Sequence, residues 1–404
     1  MSASGARRVY FDHSATTRVL PEVAEAMAPF FKERYGNASS LHSLGRDARG
    51  AVEQARKSVA AIINADPREI VFTSGGTEAD NTAVKGVAMY KGRAKGHIIT
   101  SRVEHHAVLE PCSYLKQFGF EVTEVPVDSE GLVDPAAVER AIRDDTVLVS
   151  IMMANNEIGT IQPCREIGRI ARARGVLFHT DAVQAIGKMP VDVKADNIDL
   201  LTISGHKFHG PKGVGALYVR KGTAIDPLLH GGGQERGMRS STENVPGIVG
   251  LGKAAEVARR DFDKVTSHIK RLRDRLILEV PKLVPECYLN GHQSKRLVNN
   301  ANFRFDYIEG EALLLQLDLL GIEASTGSAC SATSLEPSHV ILALGLTHEQ
   351  SHGTLRLTLG RENTEEDVDY FLTHIPGVVS KLREISPFSR DSPMSSCGGG
   401  SCNV

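Results

Sequence analysis

A chain of 404 residues is longer than one ordinary hydrophobic core organises, so two domains or one large elaborated domain are expected. Apolar residues at 41% and charged residues at 24% describe a soluble globular protein, and a formal charge of −2 argues against nucleic acid or a membrane surface as partner. No apolar run approaches the ~20 residues that span a bilayer. The opening MSASGARRVYFDH has two arginines but no apolar stretch behind them, so no secretory signal is expected and the cytoplasm is the expected location.

From about residue 50 the pattern alternates helix and strand. A helical period through DARGAVEQARKSVAAIINA precedes the strand EIVFTS; the strand GHIITS leads into a helix from His105 to Phe118 and then FEVTEVPVD. PAAVERAIRD reads as a helix, TVLVSIMM as a strand, CREIGRIARARG as a helix, and VLFHTDA, IDLLTISG and GVGALYVRKG as strands. Short β-rich runs separated by helices predict an α/β fold with a mostly parallel sheet covered on both faces. A long charged helical stretch from about Asn244 to Lys282 then breaks the alternation and reads as a connector to a second, smaller α+β domain. That domain holds the strand ANFRFDYI, the helix EGEALLLQLDLLG, a helix around PSHVILALG, the strand GTLRLTLG and a final helix to about Ile385. The remaining PFSRDSPMSSCGGGSCNV is rich in Ser, Gly and Pro and predicts disorder.

In such sheets the ligand lies beyond the carboxyl ends of the strands, so the polar residues there carry the interest. TSGGTEADN puts Gly75, Gly76 and Thr77 between a strand and a helix: a phosphate cradle, or a tight turn with Thr77 as N-cap. His105 and His106 follow one strand, Asn155 and Asn156 another, and Asp181 ends a third, with Gln184 beyond it. TISGHKFHGPKGVG places Ser204, His206 and Lys207 at a strand end among glycines, where a desolvated lysine becomes the neutral amine that a Schiff base requires; Lys212 is the alternative. Six cysteines stand at 112, 164, 287, 330, 397 and 402, too scattered in the first four cases for a disulfide framework or a metal cluster. Cys112 and Cys287 sit in apolar stretches and read as core, whereas Cys330 in TGSACSATS has little around it to bury a thiol.

Taken together, FDHSATT, GNASSLHSLGR, DPREIVFTSGGTEADN, EHHAVLE, NNEIG, HTDAVQ, SGHKFHGPKGVGALYVR, HGGGQERGMRSSTEN, TGSACSATSLEPSHVILALGL and LRLTLGR make the chain resemble the cysteine desulfurases of the NifS/IscS type, which are fold-type I pyridoxal-phosphate enzymes. The likeness runs from about Tyr10 to Pro387. It implies a large cofactor domain over residues 18–262, a small domain from residues 1–17 and 263–385, and a tail over 386–404. It also implies that Lys207 rather than Lys212 is joined to pyridoxal phosphate and that His105 stacks on the ring and helps move protons. Asp181 would pair with the ring nitrogen, Asn156 and Gln184 with the phenolic oxygen, and Gly76, Thr77, Ser204 and His206 with the phosphate. Arg356 would bind the substrate carboxylate, helped by Asn37 and Asn156, and Thr242 would reach the phosphate of a second copy, which implies a homodimer.

Cys330 would then be the nucleophile that takes sulfur from L-cysteine as a persulfide, for delivery to an iron–sulfur scaffold protein of the IscU type or another acceptor. No resident metal is expected, although Cys330 would be placed to ligate an iron–sulfur cluster transiently with a scaffold partner. Two departures from the family are His13 in FDHSATT and Ala38 after Asn37, and a third is the tail with Cys397 and Cys402. A selenocysteine lyase is the alternative enzyme, and a non-catalytic assembly partner the alternative class.

Overall fold

The computed structural model describes residues 7–90, 95–327 and 337–387; Cys330, Cys397, Cys402 and the tail beyond Pro387 lie outside them. The chain opens with β1 (Val9–Tyr10), α1 (Pro21–Met27), α2 (Pro29–Lys32) and α3 (Ser43–Ile62). The α/β alternation follows: β2 (Ile70–Thr73), α4 (Gly76–Met89), β3 (Gly96–Ser101), α5 (His106–Lys116), β4 (Phe120–Val125), α6 (Pro135–Ala141), β5 (Thr146–Ser150), α7 (Cys164–Ala173), β6 (Leu177–Asp181), β7 (Leu200–Ser204) and β8 (Gly215–Val219).

These strands form one seven-stranded sheet in the order β2-β8-β7-β6-β5-β3-β4. Every pair is parallel except the two that β8 makes, which are antiparallel. Reversal of β8 alone leaves β2, β3, β5, β6 and β7 running the same way, so their carboxyl ends share one edge. Every residue of β2, β3, β7 and β8 is buried, as a sheet covered on both faces requires. One face packs against α3, α7 and α8 (Val245–Arg260), the other against α4 and α5.

The predicted long connector is two helices. Asp261 leaves helical geometry at φ −96°, ψ 5°, and separates α8 from α9 (Phe262–Leu283). The reason lies in packing. Val245, Ile248 and Leu251 of α8 join the core of the large sheet, while Ile269, Leu272 and Leu276 of α9 join a second core, and a straight helix does not serve both. Side-chain bonds that Asp261 accepts from Arg260 and Arg361 hold the break.

The second core lies under a three-stranded antiparallel sheet, ordered β12-β10-β9, built from β9 (Cys287–Asn290), β10 (Asn300–Phe305) and β12 (Thr354–Thr358). Helix α10 (Gly310–Leu319), the short β11 (Ile322–Glu323) paired in parallel with β1, and α13 (Glu365–Ile385) complete it, with α12 (His348–His352) against β10. Val340 and Ile341 of α11 (His339–Ala343) instead pack with Val103, Met152 and Ile158 in a separate cluster. The N-terminal strand therefore belongs with the C-terminal region. Cys112 and Cys287 are buried, as their apolar surroundings predict. Among the described residues no helix is long and apolar enough to cross a membrane, and no cluster of His, Cys, Asp or Glu is arranged to hold a metal.

Candidate active site

Beyond the shared strand edge lies a cavity of about 280 Å³, lined mostly by residues at the strand ends of the large sheet and closed by Ser14, Ala15, His339 and Arg356 of β12. Eleven of the residues singled out in the sequence meet there: Gly76, Thr77, His105, His106, Asn156, Asp181, Gln184, Ser204, His206, Lys207 and Arg356. Parallel strands are the cause, because each delivers its first irregular residues to the same edge.

On the β2–α4 turn the N-cap is Gly75, not Thr77, at φ 158°, ψ −175°, a backbone region that only glycine occupies without strain. No side chain caps α4, so its first N–H groups stay available to an anion. A Cβ at Gly76 would stand 3.0 Å from Val183 Cγ2 and 3.5 Å from Ser204 Cβ, narrowing the floor of the cavity. Below the turn, Glu78 accepts from Arg239 Nε at 2.8 Å and from the Ser74 N–H at 2.9 Å, which braces it.

His105 is the N-cap of α5 rather than its first residue, and its Nδ1 accepts the Ala107 N–H at 3.1 Å. A ring nitrogen that accepts is unprotonated, so the neutral ring carries its hydrogen on Nε2. Burial and the nearby Lys207 push its pKa down to about 4. The two asparagines of NNEIG have different tasks. Asn155 Oδ1 accepts from the Glu157 and Ile158 N–H groups and its Nδ2 donates to Val103 O, so it builds the turn; Asn156 lines the cavity.

Asp181 ends β6 with Oδ1 accepting the Val183 N–H at 2.8 Å. Burial pushes its pKa up to about 6, with the Lys207 charge pulling the other way. An anion so placed is stabilised by a cation at its free edge, such as a protonated pyridine nitrogen. Lys207 follows β7 and donates from Nζ to Ser14 O at 2.7 Å and Ala15 O at 2.8 Å. His206 Nδ1 bonds Thr16 Oγ1 at 3.1 Å, and burial lowers its pKa to about 4. Arg356, on β12, spans the two cores. Its Nη2 pairs with Asp12 Oδ1 at 2.8 Å, its Nη1 donates to Gly327 O and Asn156 O, and its Nε is buried without a partner among the described residues.

Two expected site residues lie elsewhere in the chain. Asn37 is exposed and its Oδ1 accepts the Ser39 N–H. Thr242 lines a separate cavity of about 240 Å³ with Glu243 and Arg239. Cys330 falls outside the described residues.

Sequence reading passed over several charged residues that face the cavity. Glu104 is wholly buried, accepts from Ser101 Oγ at 2.6 Å and the Met152 N–H at 2.9 Å, and has its pKa pushed up to about 8 by burial. Asp80 on α4 is likewise buried, 3.6 Å from His179 Nε2, with its pKa raised by burial and by Asp181. Glu157 and His339 also line the cavity, and Asp12 stands behind Arg356. Glu104, Glu157, Asp12 and Asp80 stand as acidic residues inside the motifs EHH, NNE, FDH and TEAD, next to the expected site residues, and His339 stands in PSHVILALG.

The donor set fits pyridoxal phosphate: a lysine amine, a buried carboxylate at a strand end, an uncapped helix N-terminus and a glycine floor. Comparison with known proteins agrees. Residues 9–371 match the family described as Aminotransferase class-V. A cysteine desulfurase IscS from Methanosarcina thermophila is 58% identical over 384 residues, 95% of each chain. Among solved structures, a NifS-like protein is 44% identical with a TM-score of 0.87, covering 93% of this chain and 100% of the other. Another, SspA in complex with cysteine, is 38% identical with a TM-score of 0.76, covering 88% and 100%. The chain belongs to the class-V aminotransferase family and, within it, to the pyridoxal-phosphate-dependent cysteine desulfurases.

Proposed function

We propose that this protein removes sulfur from L-cysteine, releases L-alanine, and carries the sulfur on Cys330 as a persulfide for an acceptor protein. The observation that carries the reading is the meeting of Lys207, Asp181, His105 and Arg356 on one cavity. When bound, pyridoxal phosphate supplies an electron sink that acidifies the substrate α-hydrogen.

The chain's own groups divide the remaining work. Thr77, Ser204, His206 and the uncapped start of α4 would hold the phosphate. Asp181 would hold a proton on the ring nitrogen, since its buried charge is stabilised by such a partner. Gln184 and Asn156 would address the phenolic oxygen, and His105 would lie against the ring. Lys207, oriented by two carbonyls, would hold the cofactor and, once displaced by substrate, take the α-proton. Arg356, its guanidinium plane already set by Asp12 and two backbone carbonyls, would present its planar fork to the substrate carboxylate.

Sulfur transfer is a displacement. The Cys330 thiolate attacks the substrate sulfur, the carbon–sulfur bond breaks as the sulfur–sulfur bond forms, and protonation of the carbon leaves alanine. The acceptor would be an iron–sulfur scaffold protein or another sulfur carrier. A homodimer accounts for Thr242, which lies away from its own chain's cavity beside Glu243, whose Oε2 is buried and unpartnered among the described residues.

The test is mass spectrometry of the holoenzyme after L-cysteine. Equimolar alanine with one added sulfur on Cys330 is expected. Sulfur found only on Cys397 or Cys402, or alanine formed equally fast by Cys330→Ser, overturns the assignment.

A further inference from the structure

The hydrogen bonds around Lys207 continue away from the cavity to a lysine with no role so far. Ser14 O, which accepts from Lys207 Nζ, also accepts from Gln184 Nε2 at 3.0 Å. Gln184 Oε1 in turn accepts from Lys188 Nζ at 2.9 Å. Lys188 is buried at 8% exposure, and no carboxylate lies within ion-pair distance of it among the described residues. Gly187, at φ 75°, supplies the left-handed turn that brings Lys188 back beside Gln184.

Both ends of this chain are chemically one-way. A lysine ammonium donates and never accepts, and a peptide carbonyl accepts and never donates. A flipped Gln184 amide would face donor to donor at Lys188 and acceptor to acceptor at Ser14, so its orientation follows from its neighbours. Nε2 has two hydrogens. One serves Ser14 O, and the second remains for an acceptor in the cavity that Gln184 lines.

We infer that Lys188 is a positioning residue: by holding Gln184 Oε1 it makes Gln184 present a donor, and never an acceptor, to the phenolic oxygen of pyridoxal phosphate. The inference rests on the reading of Gln184 given under Proposed function. A second cavity, of about 50 Å³, borders Lys188 without reaching Gln184 and is also lined by His13, Asn299 and Lys207. The lining is mainly apolar, but His13 Nδ1 and both amide atoms of Asn299 are buried on it without partners among the described residues, and these are the polar groups that a water serving the other Lys188 hydrogens needs. Burial, with Lys207 and Arg356 adding repulsion, lowers the Lys188 pKa to about 7. The amide oxygen is a neutral partner that gives orientation rather than charge balance, and Ser14 O, which only accepts, keeps Gln184 Nε2 turned the same way when the amine loses its proton.

The experiment titrates the visible absorbance of the bound cofactor in four holoenzymes: unmodified, Lys188→Met, Gln184→Leu and the double variant. Each single change is expected to move the pH midpoint by about one unit in the same direction, the size of one lost charge-assisted hydrogen bond. The double variant should move it no further than Gln184→Leu alone, because one residue acts through the other. Additive shifts would mean that Lys188 acts as a separate buried charge, and an unmoved midpoint in Lys188→Met would mean that its role is structural only; either overturns the inference while the Gln184 reading stands. No shift with Gln184→Leu overturns that reading and the inference with it. If Lys188→Met fails to fold, Lys188→Arg keeps a donor and must keep the midpoint within a few tenths of a unit, and a larger shift refutes the role.

Discussion

Ser338 Oγ donates to Glu157 Oε2 at 2.5 Å. Gly327 meets the same carboxylate, and a Cβ added there would collide with it. One buried acid thus touches the residues on both sides of the segment that contains Cys330, and it does so at the wall of the cavity. Glu157→Ala should therefore leave cofactor uptake intact and slow persulfide formation on Cys330 by about tenfold, the worth of one buried charge-assisted hydrogen bond. Glu157→Gln, which keeps an acceptor for Ser338, should recover most of the rate. Single-turnover alanine and persulfide yields check both, and equal rates in all three proteins would remove Glu157 from the sulfur step.

Arg356 is committed on one side to Asp12 and on the other to two backbone carbonyls, which fixes the plane of its guanidinium before substrate arrives. A lysine cannot reproduce that fork. Arg356→Lys should raise KM for L-cysteine by about 10- to 100-fold, the equivalent of a lost bidentate carboxylate contact. The absorbance of the bound cofactor should not change. Steady-state kinetics with a spectrum of the resting enzyme separates the two effects.

His179 is wholly buried between Ser150 Oγ at 2.8 Å and Thr202 Oγ1 at 3.2 Å, and burial takes its pKa down to about 3. An unfolded histidine titrates near 6.5. The unfolded state therefore binds the extra proton first as pH falls, so the stability this ring contributes is complete above pH 6.5 and declines toward pH 3. The raised Asp80, Glu104 and Asp181 act in the opposite sense, so the quantity to measure is the difference from His179→Gln. Wild-type stability minus that of the variant should fall by about 1.4 kcal/mol per pH unit between pH 6 and 4. Urea unfolding of the cofactor-free protein at several pH values gives the slope, and a flat difference would show that His179 does not titrate on unfolding.

Arg56 and Glu235 are paired through two bonds of 2.7 Å, with Arg56 also donating to Ile70 O and Glu235 accepting the Phe72 N–H. Both side chains are buried, so removal of either leaves its partner's charge uncompensated. Arg56→Ala or Glu235→Ala should each cost about 3–5 kcal/mol of unfolding free energy. The double variant should cost less than the sum of the two, which denaturant titration of the three proteins would reveal.

Much of this site was legible before any coordinates, and the reason is geometric. Apolar runs with β-rich composition and short helical connections specify a parallel sheet, which gathers the residue after each strand, so His105, Asp181, Ser204 and Lys207 were readable as a group. Local chemistry was legible too: Cys112 and Cys287 are buried where their neighbours are apolar. Strand position did not separate Asn155 from Asn156, because adjacent identical residues differ only in which way the turn points them; the family resemblance alone singled out Asn156, the one that lines the cavity. Nor did it show the break at Asp261, since helical periodicity continues across it and only the presence of two cores makes the chain bend. Tertiary structure alone decided the ionisation landscape. Glu104, Asp80, Glu157 and Lys188 are ordinary charged letters in the chain, and they become buried acids and a buried amine only when distant segments exclude water from them.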